Sequence, residues 1–152
     1  MKNTKVGGNV KPPKPVSYYS KQADRLLQEI GRQRFDSCLV SGNPMSCQHH
    51  YYQKSSAGNL RYNWLNLIPI CQSCHFKLHN GNPDIQNKIN EIKGDKWLKE
   101  LQEAKKIPNP ECNTKRYYQA KIEELKLELN NAIFDAKILI LNNKLYILLI
   151  LF

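Results

Sequence analysis

The sequence predicts an α+β fold: a small unit of strand, loop, strand and helix, flanked by helices on its N- and C-terminal sides. Three observations point there. Between residues 35 and 70, short apolar runs are separated by turn formers; on both sides of that stretch apolar residues recur at helical spacing; and the four histidines fall within 31 residues, as His49-His50 and His75-x3-His79. A chain of 152 residues has room for one compact domain with flanking helices and is too short for two large ones.

Residues 1–16 set Gly7, Gly8, Pro12, Pro13 and Pro15 among lysines, a composition that builds no core and predicts a flexible basic arm. Ser17 is the expected cap of a helix over about 18–34, with Tyr19, Ala23, Leu26, Leu27 and Ile30 on one face and Lys21, Arg25, Arg32 and Arg34 around the remainder. Ser41-Gly42-Asn43-Pro44 and Ser55-Ser56-Ala57-Gly58-Asn59 mark loops, so Leu67-Ile68-Pro69-Ile70 reads as the second strand of a hairpin begun near residues 47–51. The turn at Cys71-x2-Cys74 opens a helix that runs through about His79 and closes at Asn80-Gly81. Asn82 caps the next helix, with Pro83 in its first turn. Ile85, Ile89 and Ile92 line one face of it, Gly94-Asp95 interrupts, and Trp97, Leu98 and Leu101 continue as far as Ile107-Pro108.

A last helix, capped by Thr114, spaces Tyr118, Ile122, Leu125 and Leu129 in a 4-3-4 pattern that suits either packing on the same chain or a dimer seam. Residues 138–152 hold twelve apolar residues broken by Asn142-Asn143-Lys144, too short and interrupted to span a membrane; a strand pair, a partner surface and a separate tail all fit. The expected organisation is an arm over 1–16, a core domain with its flanking helices over 17–106, a helix over 107–137 able to serve dimerisation, and an apolar tail over 138–152.

Lysine and arginine number 23 against 13 acidic residues, a net charge of +10. The excess is uneven, since residues 1–34 carry eight basic and two acidic side chains whereas 83–152 carry twelve and ten. A basic arm suits a polyanion, because neutralising phosphates releases condensed counterions; the same charge also serves a solubilising tail. Lys11, Lys14, Lys21 and Arg25, with Arg61 and Lys77 farther along, are the expected DNA contacts. No small-molecule substrate is called for. The N-terminal residues lack the apolar stretch of a secretory signal, so a cytoplasmic setting is expected. In a reducing compartment, five cysteines with a Cys71-x2-Cys74 pair read as metal binding before they read as disulfides.

On a helix, the spacing of His75 and His79 puts both imidazoles on one face, where they can share a metal. Together with His49-His50 and with Asn66 between, they resemble the HNH (ββα-metal) endonucleases, in which a hairpin and one helix enclose a single divalent metal; the match covers about 35 residues. The resemblance implies that His49, His75 and His79 are metal ligands, that His50 is the general base, and that Asn66 orients the loop and holds the base. The chemistry needs these types. In-line hydrolysis of a phosphodiester requires a base for the water proton, and an imidazole of pKa about 6.5 is largely neutral at physiological pH. Negative charge growing on the leaving oxygen and the phosphoryl group is met by the divalent ion. Three nitrogen ligands favour Zn, Ni or Mn over Mg, although the family uses several metals.

In many HNH proteins, cysteines beside this unit complete a structural zinc site of four thiolates on a zinc-ribbon-like hairpin. Cys38, Cys71 and Cys74 match it, but Ser41 stands where a second cysteine of the first pair would be. Cys47 is then the candidate fourth ligand; on an extended strand it shares a face with His49 and can turn to the histidine metal instead. Buried free thiols are the alternative to zinc.

A longer resemblance runs from about Lys14 to Asn131. Lys14-Pro15-Val16-Ser17-Tyr18, Lys21-Gln22-Ala23, Cys38, His50-Tyr51, Leu60-Arg61-Tyr62-Asn63, Cys71-x2-Cys74, Gly81-Asn82 and Gln119-Ala120-Lys121 are similar to the lambdoid phage NinG/Rap recombination proteins. That similarity implies a nuclease acting on branched DNA, Holliday junctions included, in the cytosol of a bacterial host. Two departures stand out: Ser41 replaces a family cysteine, and His75 stands where the family usually has Asn. A junction needs two symmetrical cuts, so a homodimer is expected. The alternatives are a restriction-like or homing-like HNH endonuclease and a non-catalytic, zinc-dependent DNA-binding protein. His50 separates the enzymes from the last, because a binding module has no use for a second histidine beside a ligand.

Overall fold

The computed structural model describes residues 13–150, with side chains as far as residue 141; Lys11 and the first twelve residues of the arm lie outside the described residues. The chain forms α1 (Val16–Arg34), β1 (Cys47–His50), β2 (Leu67–Ile70), α2 (Gln72–His79), α3 (Pro83–Lys106) and α4 (Lys115–Ile150). The two strands pair antiparallel, with His49 opposite Ile68 and His50 opposite Leu67, and α2 follows directly. This is the expected ββα unit between helices, an α+β fold.

Strand β2 is buried along its whole length, and its two faces feed two cores. Ile68 and Ile70 join Leu60, Ile85, Ile89, Trp97 and Leu101 of the α3 side, with Cys38, Cys71 and Cys74 at the same core's edge. Leu67 turns the other way, to Ala23, Leu27 and Ile30 of α1 and Tyr118, Ile122 and Leu125 of α4. A strand that must satisfy apolar layers on both faces reads as a continuous apolar run. Pro69 is tolerated because its partner Gln48 sends both its N–H and its C=O outward to the Gln28 side chain, at 2.8 and 3.0 Å, so no donor is missed at that pair. The same two bonds cover the free edge of β1 with α1.

One local expectation changes, and two that the sequence left open take one form. Helix α1 begins two residues early, with Pro15 at the cap position and no side-chain cap; Ser17 lies inside the first turn, where its carbonyl accepts from the Ser20 hydroxyl. The Tyr118, Ile122 and Leu125 face packs on α1 of the same chain, each residue 4% exposed or less, so it is not a free dimer seam. The apolar stretch from 138 continues α4 through Ile150 in place of a strand pair. Thr114 does cap that helix, its Oγ1 accepting from the Tyr117 N–H at 3.1 Å. Gly94 breaks α3 at φ 77°, a conformation open to glycine without steric cost. Among the described residues, no helix is long and apolar enough to cross a membrane.

Candidate functional site

Strand β1 and helix α2 bring three imidazoles together. His75 and His79, one turn apart on α2, face each other with Nε2 atoms 3.0 Å apart, and the His49 ring lies 5.3 and 5.7 Å from theirs, centroid to centroid. One ring nitrogen from each of the three falls within 4.8 Å of the others. Burial, then the neighbouring His75, His79 and His50, push His49 down to about 4; burial and His79 also lower His75. Near neutral pH His49 is therefore an uncharged imidazole with a lone pair to offer. Metal–nitrogen bonds of about 2.0–2.1 Å place neighbouring ligands roughly 3 Å apart, so the donor set fits a small divalent cation.

His50, next along β1, is half-buried and points to the opposite face of the strand from His49. Its Nε2–H donates to the Arg61 carbonyl at 2.8 Å. A carbonyl only accepts, so Nε2 carries the hydrogen and Nδ1 is left with the free lone pair. Burial lowers its pKa, against a smaller opposing effect of the Arg61 carbonyl, which keeps the ring neutral and basic at Nδ1. The carbonyl is itself held in place. Asn66, fully buried, accepts from the Tyr52 N–H at 2.7 Å and donates from Nδ2 to the carbonyls of Tyr52 and Leu60, at 3.1 and 3.3 Å, tying down both ends of the loop that ends beside Arg61.

A cavity of about 550 Å³ takes in His49, His50, His75 and His79, with Gln28, Gln53, Lys54 and Ser55 on its other walls. Cys47 also lines it, half-buried, its thiol pushed up by burial. It is not among the clustered thiols, which are Cys38, Cys71 and Cys74, with sulfurs within 4.8 Å of one another. Ser41 Oγ lies 3.4 Å from Cys71 Sγ. Burial opposes ionisation of Cys71, but hydrogen bonds from Ser41 and Ser73 outweigh it and bring this thiol to about 6, while burial and Cys71 itself raise Cys74. Three neighbouring thiols become thiolates together only where a cation shares the charge, which suits a soft ion of the zinc class.

The expected DNA contacts divide. Lys21 and Arg25 are exposed on α1, Lys77 on α2, and Lys14 Nζ sits 3.8 Å from the Tyr18 ring centre. Arg25 and Gln28 each line two adjoining grooves, so the basic face of α1 leads to the histidine cavity. Arg61 is different. Its guanidinium is bound to both Asp24 oxygens, at 2.9 and 2.6 Å, and to the Tyr118 hydroxyl, leaving it 16% exposed, so it braces the fold in place of reaching for phosphate. Sequence reasoning missed Asp24, Gln28 and Lys54. Asp24 and Arg61 lie 37 positions apart with no periodicity linking them, and only the docking of α1 brings them together.

The family model described as HNH endonuclease matches residues 36–81. No curated protein and no solved structure matches the chain. The matched segment holds both strands, α2, the four histidines, Asn66 and the cysteine cluster, whereas α1, α3 and α4 lie outside it.

Proposed function

We propose that this chain, with its HNH-type segment over residues 36–81, is a metal-dependent DNA endonuclease that hydrolyses phosphodiester bonds. The observation that carries it is the convergence of three imidazoles on one point, with a fourth, hydrogen-bonded at Nε2 and free at Nδ1, on the same cavity. His49, His75 and His79 would hold a divalent ion, which when bound would supply Lewis-acid stabilisation of the charge that builds on the phosphoryl and leaving oxygens. His50 takes the proton of the attacking water at Nδ1. The Arg61 carbonyl keeps that nitrogen in the basic tautomer, and Asn66 keeps the carbonyl in position. Lys54 brings a cation to the cavity wall, and Lys21 and Arg25 guide the backbone along α1. Lys77 and the N-terminal Lys11 and Lys14 add phosphate contacts, and the cysteine cluster holds a structural zinc.

The substrate we favour is branched DNA, including Holliday junctions, as the NinG/Rap similarity implies. A hairpin and one short helix leave few side chains to read base edges, which favours recognition of DNA shape. Purified protein incubated with plasmid, linear duplex and a four-way junction, with and without EDTA, tests this. Cleavage that needs a divalent metal and prefers the junction is expected. DNA binding with no cleavage in any divalent metal would favour the zinc-dependent binding protein, and cutting of linear duplex at one sequence would favour the restriction-like or homing-like enzyme.

A further inference from the structure

Two turns of the same design face each other across the cysteine cluster. In one, Cys38 and position 41 are three residues apart and the Gly42 N–H closes the turn on the Cys38 carbonyl at 2.9 Å; in the other, Cys71 and Cys74 are three apart and the His75 N–H closes on the Cys71 carbonyl at 3.0 Å. Gly42, at φ +71°, lets the chain leave the first turn, a conformation that other residues rarely adopt. Ser41 therefore stands to Cys38 as Cys74 stands to Cys71. Its Oγ is 3.4 Å from Cys71 Sγ, close to the edge of about 3.6 Å expected for an oxygen and a sulfur on one tetrahedral zinc. Cys38, Cys71 and Cys74 are buried, whereas Ser41 is exposed; Cys47 packs against the same core but lines the histidine cavity and is not one of the three sulfurs within 4.8 Å of one another.

We propose that Cys38, Cys71 and Cys74 hold one zinc-class ion through three thiolates, that the Ser41 hydroxyl is the fourth, solvent-facing corner, and that Cys47 takes no part in that site. This rests on the cluster being a metal site at all. A neutral hydroxyl is a weaker ligand for zinc than a thiolate, so the ion is held less tightly and exchanges faster than in a site of four sulfurs.

The test uses the full chain carrying His75→Ala and His79→Ala, so that the histidine nitrogens do not compete. Cobalt(II) reports thiolate bonds by its sulfur-to-metal absorption, and a chromophoric chelator reports zinc affinity. Ser41→Cys should raise the cobalt absorption by about a third, four thiolates replacing three, and tighten zinc by about tenfold or more. Ser41→Ala should keep the absorption and weaken zinc binding severalfold, and it serves alone if the cysteine variant does not fold. Cys47→Ser should change neither measurement. Absorption that falls in Cys47→Ser, or zinc affinity unmoved by both Ser41 variants, would overturn the assignment of the fourth corner. A parent protein with no sulfur-to-metal absorption would instead remove the cysteine metal site and the inference with it.

Discussion

In the proposed reaction, the role of His50 turns on one hydrogen bond. Its place beside His49 is visible in the sequence, but which nitrogen is free depends on the Arg61 carbonyl, eleven positions on. His50→Ala should lower cleavage by about 10² to 10⁴-fold, the usual worth of a general base, with DNA affinity nearly unchanged. An equal loss of binding and cleavage, measured by single-turnover kinetics and a gel-shift titration, would move His50 from catalysis to binding. Asp24 makes a second residue-scale case. Burial works to raise its pKa, but the hydrogen bonds and charge of Arg61, with Lys54, outweigh it and lower it. A carboxylate depressed on folding contributes stability that is fully present above its unfolded value, about 3.9, and is lost as pH falls through the folded value. Asp24→Asn should therefore cost about 1–3 kcal/mol at pH 7, because Arg61 keeps its burial and loses its counter-charge. Against wild type, that difference should shrink below about pH 4. Urea titrations at pH 7 and pH 3 giving the same gap would show that the ion pair is not its source.

At the scale of elements, α1 acts as a third strand would. The Gln28 amide takes the place of a neighbouring backbone on the β1 edge, and Gly31 lets the helix come close enough for it to do so. A Cβ at position 31 would lie 2.5 Å from Gln48 Cγ, and Gln48 is only 3% exposed. Gly31→Ala should destabilise the fold by about 1–3 kcal/mol through overpacking, more than its better helix propensity returns. Adding Gln48→Ala should recover much of the loss, since the clash is with that side chain and its buried amide has no hydrogen-bond partner among the described residues. Additive losses in the double variant, read from denaturant midpoints, would place the strain elsewhere. The same contact links stability to the site, because Gln28 and Asp24 on one helix brace both β1 and the loop that holds His50.

Across the whole molecule, the ββα unit is clamped between two apolar cores, one with α3 and one with α1 and α4. Helix α4 outruns the second core. As far as residue 141, where side chains are described, its last buried residue is Ala132, beyond which Phe134 and the residues from Ile138 to Leu141 are exposed. Because exposed side chains add little to burial, replacing Ile138, Leu139, Ile140 and Leu141 by alanine should move the unfolding midpoint by no more than about 5 °C. A larger drop in differential scanning calorimetry would mean that this part of the helix packs against something in solution, and sedimentation of both proteins would show whether it is a second copy. A dimer suited to junctions, if it forms, has to use surfaces other than the Tyr118, Ile122 and Leu125 face, which α1 already covers.

The sequence alone determined the order of elements, the grouping of His49, His75 and His79 and the break at Gly94, because periodicity, turn chemistry and ligand spacing act over a few residues. It left two partners for the α4 face, two destinations for Cys47 and no role for Asp24 or Gln28. Only the tertiary structure decided two of those matters: α1 takes the α4 face, and Asp24 and Gln28 bind Arg61 and the β1 edge. The physical reason is that a side chain's nearest neighbour across a packed interface depends on how closely two surfaces approach, here through Gly31 and Gln28, and no local pattern in the chain carries that distance.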